Sequence, residues 1–422
     1  MVKKIGIIGL GNVGEATIKM LTKYSSLIYQ RSRFKIQIKA VCDKKKAKKV
    51  IAKKYSIPFE VDAFKLINDP EIDIIVELIG GIEPARTFII EALKKRKNVV
   101  TANKALLAQY GRQIFSLAKR VNKIVGFEAS VCGAIPLIKS ISDGLVCCEI
   151  KEMFGILNGT TNYILSKMSK EKIDFSLALR QAQKKGFAER NPSLDIDGID
   201  TLHKLSILSY LCFGVWPSLD KVYTEGISKV SLLDILYAQE LNYCIKLLAI
   251  AKKEGNFLDL RVHPTLISMD HPLSEVSSVY NAVFLETHPA GKLLFYGLGA
   301  GGEPTSSSII SDIVNIALQK QKIPQQEEDL KLKSINKIKA RYYVRFMAYD
   351  RSGVLAQISK ILASFKISIA SVTQKERNKG RIVPIVMLTH EAYEANIRKA
   401  ISKIDTLSII KSPSQILRIE NL

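Results

Sequence analysis

The sequence predicts an α/β protein built on a doubly wound parallel sheet, followed by an α+β domain and a ferredoxin-like module at its C-terminal end. Three observations predict it. Apolar strands and helical stretches alternate through roughly the first 130 residues, as a parallel sheet requires. The first strand runs through GLGNVG straight into a helix. Residues 339–422 then read strand, helix, strand, strand, helix, strand.

VKKIGIIG (2–9) is a short apolar strand bounded by glycine, and EATIKMLTKY continues as a helix. Between them Gly9, Leu10, Gly11, Asn12, Val13 and Gly14 form G-x-G-x-x-G in the context that a Rossmann-type nucleotide site needs. The first glycine allows the tight turn and the second lets the backbone approach a pyrophosphate. The third lets helix and strand pack closely, and the helix N-terminus faces the phosphate charge. IQIKAVCD (36–43), IDIIVELIG (72–80), NVVT (98–101) and KIVGFEA (123–129) read as the remaining strands. Asp43 closes the second strand, where a carboxylate would hold ribose hydroxyls and suit NAD. Lys44, Lys45 and Lys46 follow at once and would suit the 2′-phosphate of NADP, so both cofactors stay open. Asp43 lies farther from the glycines than the usual ~20 residues, because the first helix runs into an extra segment.

The fourth strand of this reading ends in TANK, residues 101–104. Ligands of open α/β sheets bind beyond the carboxyl ends of the strands, which puts Thr101 and Lys104 where a nicotinamide would sit. FEASVCGAIP (127–136) reads as a domain crossover. GILNGTTNYIL (155–165) places a Gly-Thr-Thr-Asn turn between strand and helix, able to bind a small anion through Gly159 and Thr160 or simply to cap the helix. In GFAERNPSLDIDGIDTLHKL (186–205) several carboxylates crowd into one loop, and a helix apolar on most of its circumference follows. Asp200 and Lys204 lie four apart on that helix. Exposed, the pair would be worth ~0.3–0.5 kcal/mol. Buried, each charge needs a partner, and a buried lysine can be tuned as an acid or base.

The bulk properties narrow the classes. The chain has 422 residues, 47% of them hydrophobic and 24% charged, which is a globular composition with room for two or three domains. It opens MVKKIGIIGLG, without a signal peptide, and no stretch reaches the ~18 apolar residues of a membrane span. Six scattered cysteines with no CxxC pair read as reduced thiols of a cytoplasmic chain. The net charge of +23 would suit nucleic acid, but the lysines are spread along the chain. The longest run, DKKKAKK at 43–49, stands alone, and no nucleic-acid-binding signature accompanies it. A basic enzyme with small anionic ligands is the better reading.

Taken together, GLGNVG, VELIGG, VTANK, FEASVCGAIP, GILNGTTNYIL, GFAERNPSLDIDGIDTLHKL and YGLGAGGEPTSSS resemble homoserine dehydrogenase, in that family's order and over essentially the whole chain. The resemblance implies reversible NAD(P)-dependent interconversion of L-homoserine and L-aspartate 4-semialdehyde, on the branch to threonine, methionine and isoleucine. It implies that Lys204 donates a proton to the aldehyde oxygen, that Lys104 assists between nicotinamide and substrate, and that Asp200 orients Lys204. Glu189 and Asp195 would hold the substrate's amino group. A sodium or other monovalent cation is implied too, held by Glu128 and the main-chain oxygens of Val131, Gly133 and Ile135. Two positions depart from the family's pattern: Cys42 stands where many relatives carry a basic residue, and Ala134 where a glycine is common. No His/Cys/Glu cluster has zinc spacing, and the five histidines read as structural or surface groups.

The C-terminal order resembles the ACT domain, a βαββαβ module that binds amino acids where strands pair between subunits. In DRSGVLAQI the turn Asp350–Gly353 would offer backbone donors to an effector, and Ser352 stands where the family usually has proline. The expected effector is threonine; the alternative is a module that only dimerises. The expected domains are 1–130 for the dinucleotide (completed by a returning helix near 305–321), 131–304 for substrate and dimerisation, a linker at 322–338, and 339–422 for the ACT module. The expected protein is a monofunctional homodimer or homotetramer without an upstream kinase domain. Two alternatives are an amino-acid sensor with a dead core and a dehydrogenase of a related semialdehyde. The first predicts loss of Lys104, Lys204, Asp200 or Glu189, and all four are present. The phosphorylating members of the second need a cysteine nucleophile, and Cys132 lacks the surrounding signature.

Overall fold

The structure, a computed structural model, describes residues 2–319, 328–375 and 381–422. The part of the expected linker at 322–327, and the end of the returning helix at 320–321, lie outside the described residues. The chain divides into two compact units. The first comprises Met1–Met153, Leu202–Leu219 and Val279–Asp329, and the second Phe154–Thr201, Asp220–Ser278 and Leu330–Leu422.

In the first unit β1 (Val2–Ile8), β2 (Lys35–Cys42), β3 (Phe59–Glu60), β4 (Ile74–Glu77), β5 (Asn98–Thr101) and β6 (Val125–Gly126) form one sheet in the order β3-β2-β1-β4-β5-β6. Every pair is parallel. This is the Rossmann order, with the topological switch between β1 and β4. Ile5, Ile7, Ile74, Val76 and Val100 are buried against Ile309, Ile310 and Ile313 of the helix Gly302–Ala317, so that late segment covers this sheet. Thr17 and Ser306 meet at 3.0 Å across the same contact.

Three strand expectations shift. The two-residue strand Phe59–Glu60 escaped the sequence reading, so the strand ending in TANK is the fifth. IDIIVELIG pairs only over Ile74–Glu77, because the Glu77 carboxylate accepts the amides of Ile79 (2.9 Å) and Gly80 (3.4 Å) and turns the chain. KIVGFEA pairs only over Val125–Gly126, since the amide of Glu128 donates to Asp312 (2.9 Å) instead of a neighbouring strand. The extra segment before β2 is a second helix, Ser25–Ser32, after Asn12–Lys23. The hairpin Tyr280–His288/Gly291–Leu298 also belongs to this unit.

In the second unit the strands Tyr243–Glu254 and Phe257–Ser268 pair antiparallel along their length. Phe257–Ser268 pairs in parallel with the last strand, Ile410–Glu420. From there the sheet continues through Lys339–Tyr349 and Ile382–Thr389 to Ile369–Thr373. With helices Val354–Ser364 and Glu394–Asp405 this is the βαββαβ order expected, with spatial order fourth, first, third, second strand. Tyr342, Val344, Phe346, Ile358, Met387, Ile397 and Ile401 fill its core.

The candidate active site

The nucleotide half lies at the carboxyl edge of the first sheet. Gly9 has φ +104°, and a Cβ there would stand 2.7 Å from the backbone of Leu78. A Cβ on Gly14 would lie 2.1 Å from the Gly9 carbonyl oxygen. At Gly11 a Cβ meets nothing within 4 Å, so space lies open beside the turn. The helix Asn12–Lys23 starts there with no side-chain cap, leaving amides of its first turn for an anion. The adjoining cavity measures about 400 Å³ and is lined by Gly9, Gly11, Asp43, Lys44, Lys45 and Lys48 among others.

 A separate cavity of about 820 Å³, lined by Lys252, Arg261 and Arg341 among others, lies within the second unit. Asp43 lies one residue past the end of β2: Oδ2 accepts from the Leu10 amide (2.9 Å) and Oδ1 from the Lys45 amide (2.8 Å).

Thr101 ends β5 fully buried and donates to Glu77 Oε2 at 2.6 Å. Its hydroxyl accepts from the Asn103 amide (3.0 Å), and Asn103 Nδ2 donates to the Gly81 carbonyl (2.6 Å). Asn103 Oδ1 caps the helix Lys104–Arg120 by accepting from the Leu106 amide (3.1 Å). Lys104 is thus the first helical residue, held by a buried network the sequence reading did not include. Burial pushes the Glu77 carboxyl upward, opposed by the Thr101 hydroxyl and the amides of Ile79 and Gly80. An acid inside the apolar run IDIIVELIG was the signal for it.

At the crossover Glu128 is buried, and its oxygens accept the amides of Ile138 (2.8 Å) and Lys139 (2.9 Å). Burial pushes its carboxyl up to about 7. The Gly133 carbonyl accepts from the Ser308 hydroxyl (2.7 Å) and the Ile135 carbonyl from the Leu137 amide (2.7 Å). Cys132 (φ 55°) and Gly133 (φ 54°) turn the chain there, after Val131. Among the described residues no group of three or more His, Cys, Asp or Glu side chains could hold a metal ion.

In the second unit the Gly-Thr-Thr-Asn stretch is not a turn but the first turn of the helix Gly159–Glu171. Its cap is Asn158, whose Oδ1 accepts the Thr161 amide (2.8 Å). The same side chain donates to Asp195 Oδ1 (2.7 Å) and Asp200 Oδ2 (2.8 Å), so it brings two of the expected carboxylates together. Asn158 was missed in the sequence; an Asn just before a small-residue helix start is its signal. Thr160 donates to the Phe187 carbonyl (2.6 Å), tying this helix to the acidic loop. Glu189 is exposed, with its carbonyl accepting from Gln183 (3.1 Å).

Helix Ile199–Phe213 carries Asp200 and, one turn on, Lys204. The expected burial holds: Leu205, Ile207 and Leu208 are inaccessible, Asp200 is 6% exposed and Lys204 7%.

Known proteins match this chain along its length. Family models for the homoserine dehydrogenase NAD-binding domain, for homoserine dehydrogenase and for the ACT domain match residues 9–128, 136–314 and 342–406. The homoserine dehydrogenase of Helicobacter pylori is 43% identical, with 99% of each chain covered. The crystal structure of a homoserine dehydrogenase from Thiobacillus denitrificans is 39% identical, with TM-score 0.93 and 100% of this chain and 99% of that one covered. A hyperthermophilic archaeal homoserine dehydrogenase in complex with NADPH is 27% identical, with TM-score 0.66, covering 77% of this chain and 100% of that one. With a nicotinamide-binding Rossmann domain, an acidic loop running into a buried lysine and an ACT module in that order, the chain belongs to the homoserine dehydrogenase family.

Proposed function

We propose that Lys204 is the general acid of the homoserine dehydrogenase reaction and that Lys104 assists it beside the nicotinamide. The observation that carries this reading is a lysine only 7% exposed on a helix whose preceding turn bears a buried aspartate. When bound, the reduced nicotinamide supplies the hydride. As the aldehyde carbon of aspartate 4-semialdehyde accepts it, negative charge grows on the aldehyde oxygen, and Lys204 gives that oxygen a proton. In the reverse direction Lys204 takes the proton from the homoserine hydroxyl. Asp200 orients Lys204, while Asp195 and Glu189 receive the substrate's ammonium group, with Gly159 and Thr160 shaping the same loop.

The cofactor reading favours NADPH. Gly9, Leu10, Gly11, Asn12, Val13 and Gly14 would hold the pyrophosphate. Lys44, Lys45 and Lys48 line the cavity beside the glycine turn, which supports a 2′-phosphate. The oxygens of Glu128, Val131, Gly133 and Ile135 are hard donors of the kind a monovalent cation takes. Carbonyls that accept one hydrogen bond keep a second lone pair, so the set fits such an ion. The edge strand Ile369–Thr373 ends its sheet and supports pairing between copies in a homodimer or homotetramer. Threonine bound near Asp350–Gly353 is the regulatory reading, and a cytoplasmic setting suits six free cysteines. The division at 1–130, 131–304 and 339–422 serves as the functional map.

The test is oxidation of NADPH and of NADH with aspartate 4-semialdehyde, for wild type and Lys204→Ala. Turnover by wild type and a loss of about 100-fold or more in the variant, the scale of a lost general acid, is the expected result. A variant within a few fold of wild type removes Lys204 from that role.

A further inference from the structure

We propose that Asn158 is a positioning residue for this reaction: a neutral amide that holds the carboxylates of Asp195 and Asp200 in place for the substrate. This rests on the reading of the acidic loop above and deepens it. Asn158 is 4% exposed, and its side chain makes three hydrogen bonds of 2.7–2.8 Å, one accepted and two donated.

The chemistry of the amide explains the choice of residue. Its oxygen caps a helix, which Ser, Thr or Asp would do as well. Its nitrogen carries two N–H groups that diverge, and each goes to a different carboxylate. Two acceptor oxygens on one nitrogen stand roughly 5 Å apart. Carboxylates that close repel. A donor between them offsets that repulsion, since each N–H points its positive end at one carboxylate oxygen. Asp195 and Asp200 come from opposite ends of the segment 195–200, so the same amide also fixes how that loop closes on the helix cap.

A cap alone does not require the nitrogen, and this makes the two roles separable. Asn158→Asp preserves the cap and the shape but replaces the donor with a third carboxylate. Asn158→Ser preserves the cap and removes the reach to both aspartates. The experiment measures kcat and KM for L-homoserine and for NADP with wild type and both variants across pH 6 to 9, with thermal midpoints alongside.

For Asn158→Asp the expected result is a KM for homoserine raised at least 10-fold at pH 8, with the KM for NADP within twofold. The deficit shrinks toward pH 6 as the added carboxylate takes up a proton and restores a donor; Glu189 and Asp197 of the same loop favour that uptake, and Lys204, one turn after Asp200, opposes it. For Asn158→Ser a smaller loss in kcat/KM that does not vary with pH is expected. If Asn158→Asp unfolds, the serine variant carries the test: a pH-independent loss in kcat/KM at an unchanged NADP KM supports the proposal. Homoserine kinetics within twofold of wild type in a folded variant overturn it and leave Asn158 as a cap. Wild-type inactivity with homoserine overturns the reading of the reaction, and the proposal with it.

Discussion

Cysteine shows how residue environment separates groups of one kind. Burial pushes the Cys42 thiol up to about 11, with Asp43 adding to it, and pushes Cys244 to about 11 and Cys212 to about 12. Cys147 is exposed. The thiolate is the form that reacts, so alkylation with iodoacetamide at pH 8 is expected to label Cys147 and spare Cys42, Cys212 and Cys244 until the chain is unfolded. Peptide mass spectrometry reads the sites, and rapid labelling of Cys42 in folded protein would contradict its burial beside the nucleotide cavity.

At the scale of elements, the segment Tyr223–Ile227 links the C-terminal module to the acidic loop within the second unit. Tyr223 and Thr224 pair in parallel with Arg261 and Val262. Arg418 of the last strand reaches Glu225 (3.2 Å) and the Tyr223 hydroxyl (3.2 Å), and Arg398 reaches that hydroxyl at 2.8 Å. On the other side the Ile227 amide donates to the Ile196 carbonyl (2.8 Å). A Cβ on Gly226 would stand 2.1 Å from that same oxygen and 2.5 Å from the Asp197 Cα. Gly226→Ala must therefore move backbone, at a cost of about 1–3 kcal/mol. The expected outcome is a KM for homoserine raised about 10-fold with the KM for NADP unchanged, checked by steady-state kinetics. Unchanged homoserine kinetics would mean the segment does not set the loop.

For the whole molecule, a buried histidine is one contributor to the pH dependence of stability. His263 is inaccessible, with Nε2 3.2 Å from Arg261 Nη1 and Nδ1 2.9 Å from the Thr265 hydroxyl. Burial, then Arg418 and Arg261, hold its pKa well below the usual value, and Arg398 acts in the same direction. The unfolded chain takes up a proton near pH 6.5 that the folded chain refuses. His263 by itself therefore lowers folded stability as pH drops from about 6.5 toward its folded pKa, by at most about 1.4 kcal/mol per pH unit, while Glu128, whose carboxyl is raised to about 7, acts in the opposite direction over the same range. The thermal midpoint of His263→Gln relative to that of wild type should rise as pH goes from 7 to 5. Parallel curves would assign the acid sensitivity to other groups.

What the sequence determined by itself were features of short range. G-x-G-x-x-G between strand and helix located the nucleotide turn, because only glycine tolerates φ +104° at Gly9 and the 2.1 Å approach at Gly14. Apolar runs marked the strands of the first sheet except the two-residue Phe59–Glu60, and the circumference of Ile199–Phe213 announced its burial. Tertiary structure decided where elements stop and which polar groups meet. Glu77 ends β4 by turning its carboxylate onto the amides that follow, and Asp312, distant in sequence, ends β6 by taking the Glu128 amide. Asn158 finds Asp195 and Asp200 only after some forty residues of chain fold back upon it. Periodicity reports which face of an element avoids water. It carries no record of hydrogen-bond partners that the chain brings together from far apart, and those partners set the charges on which the chemistry depends.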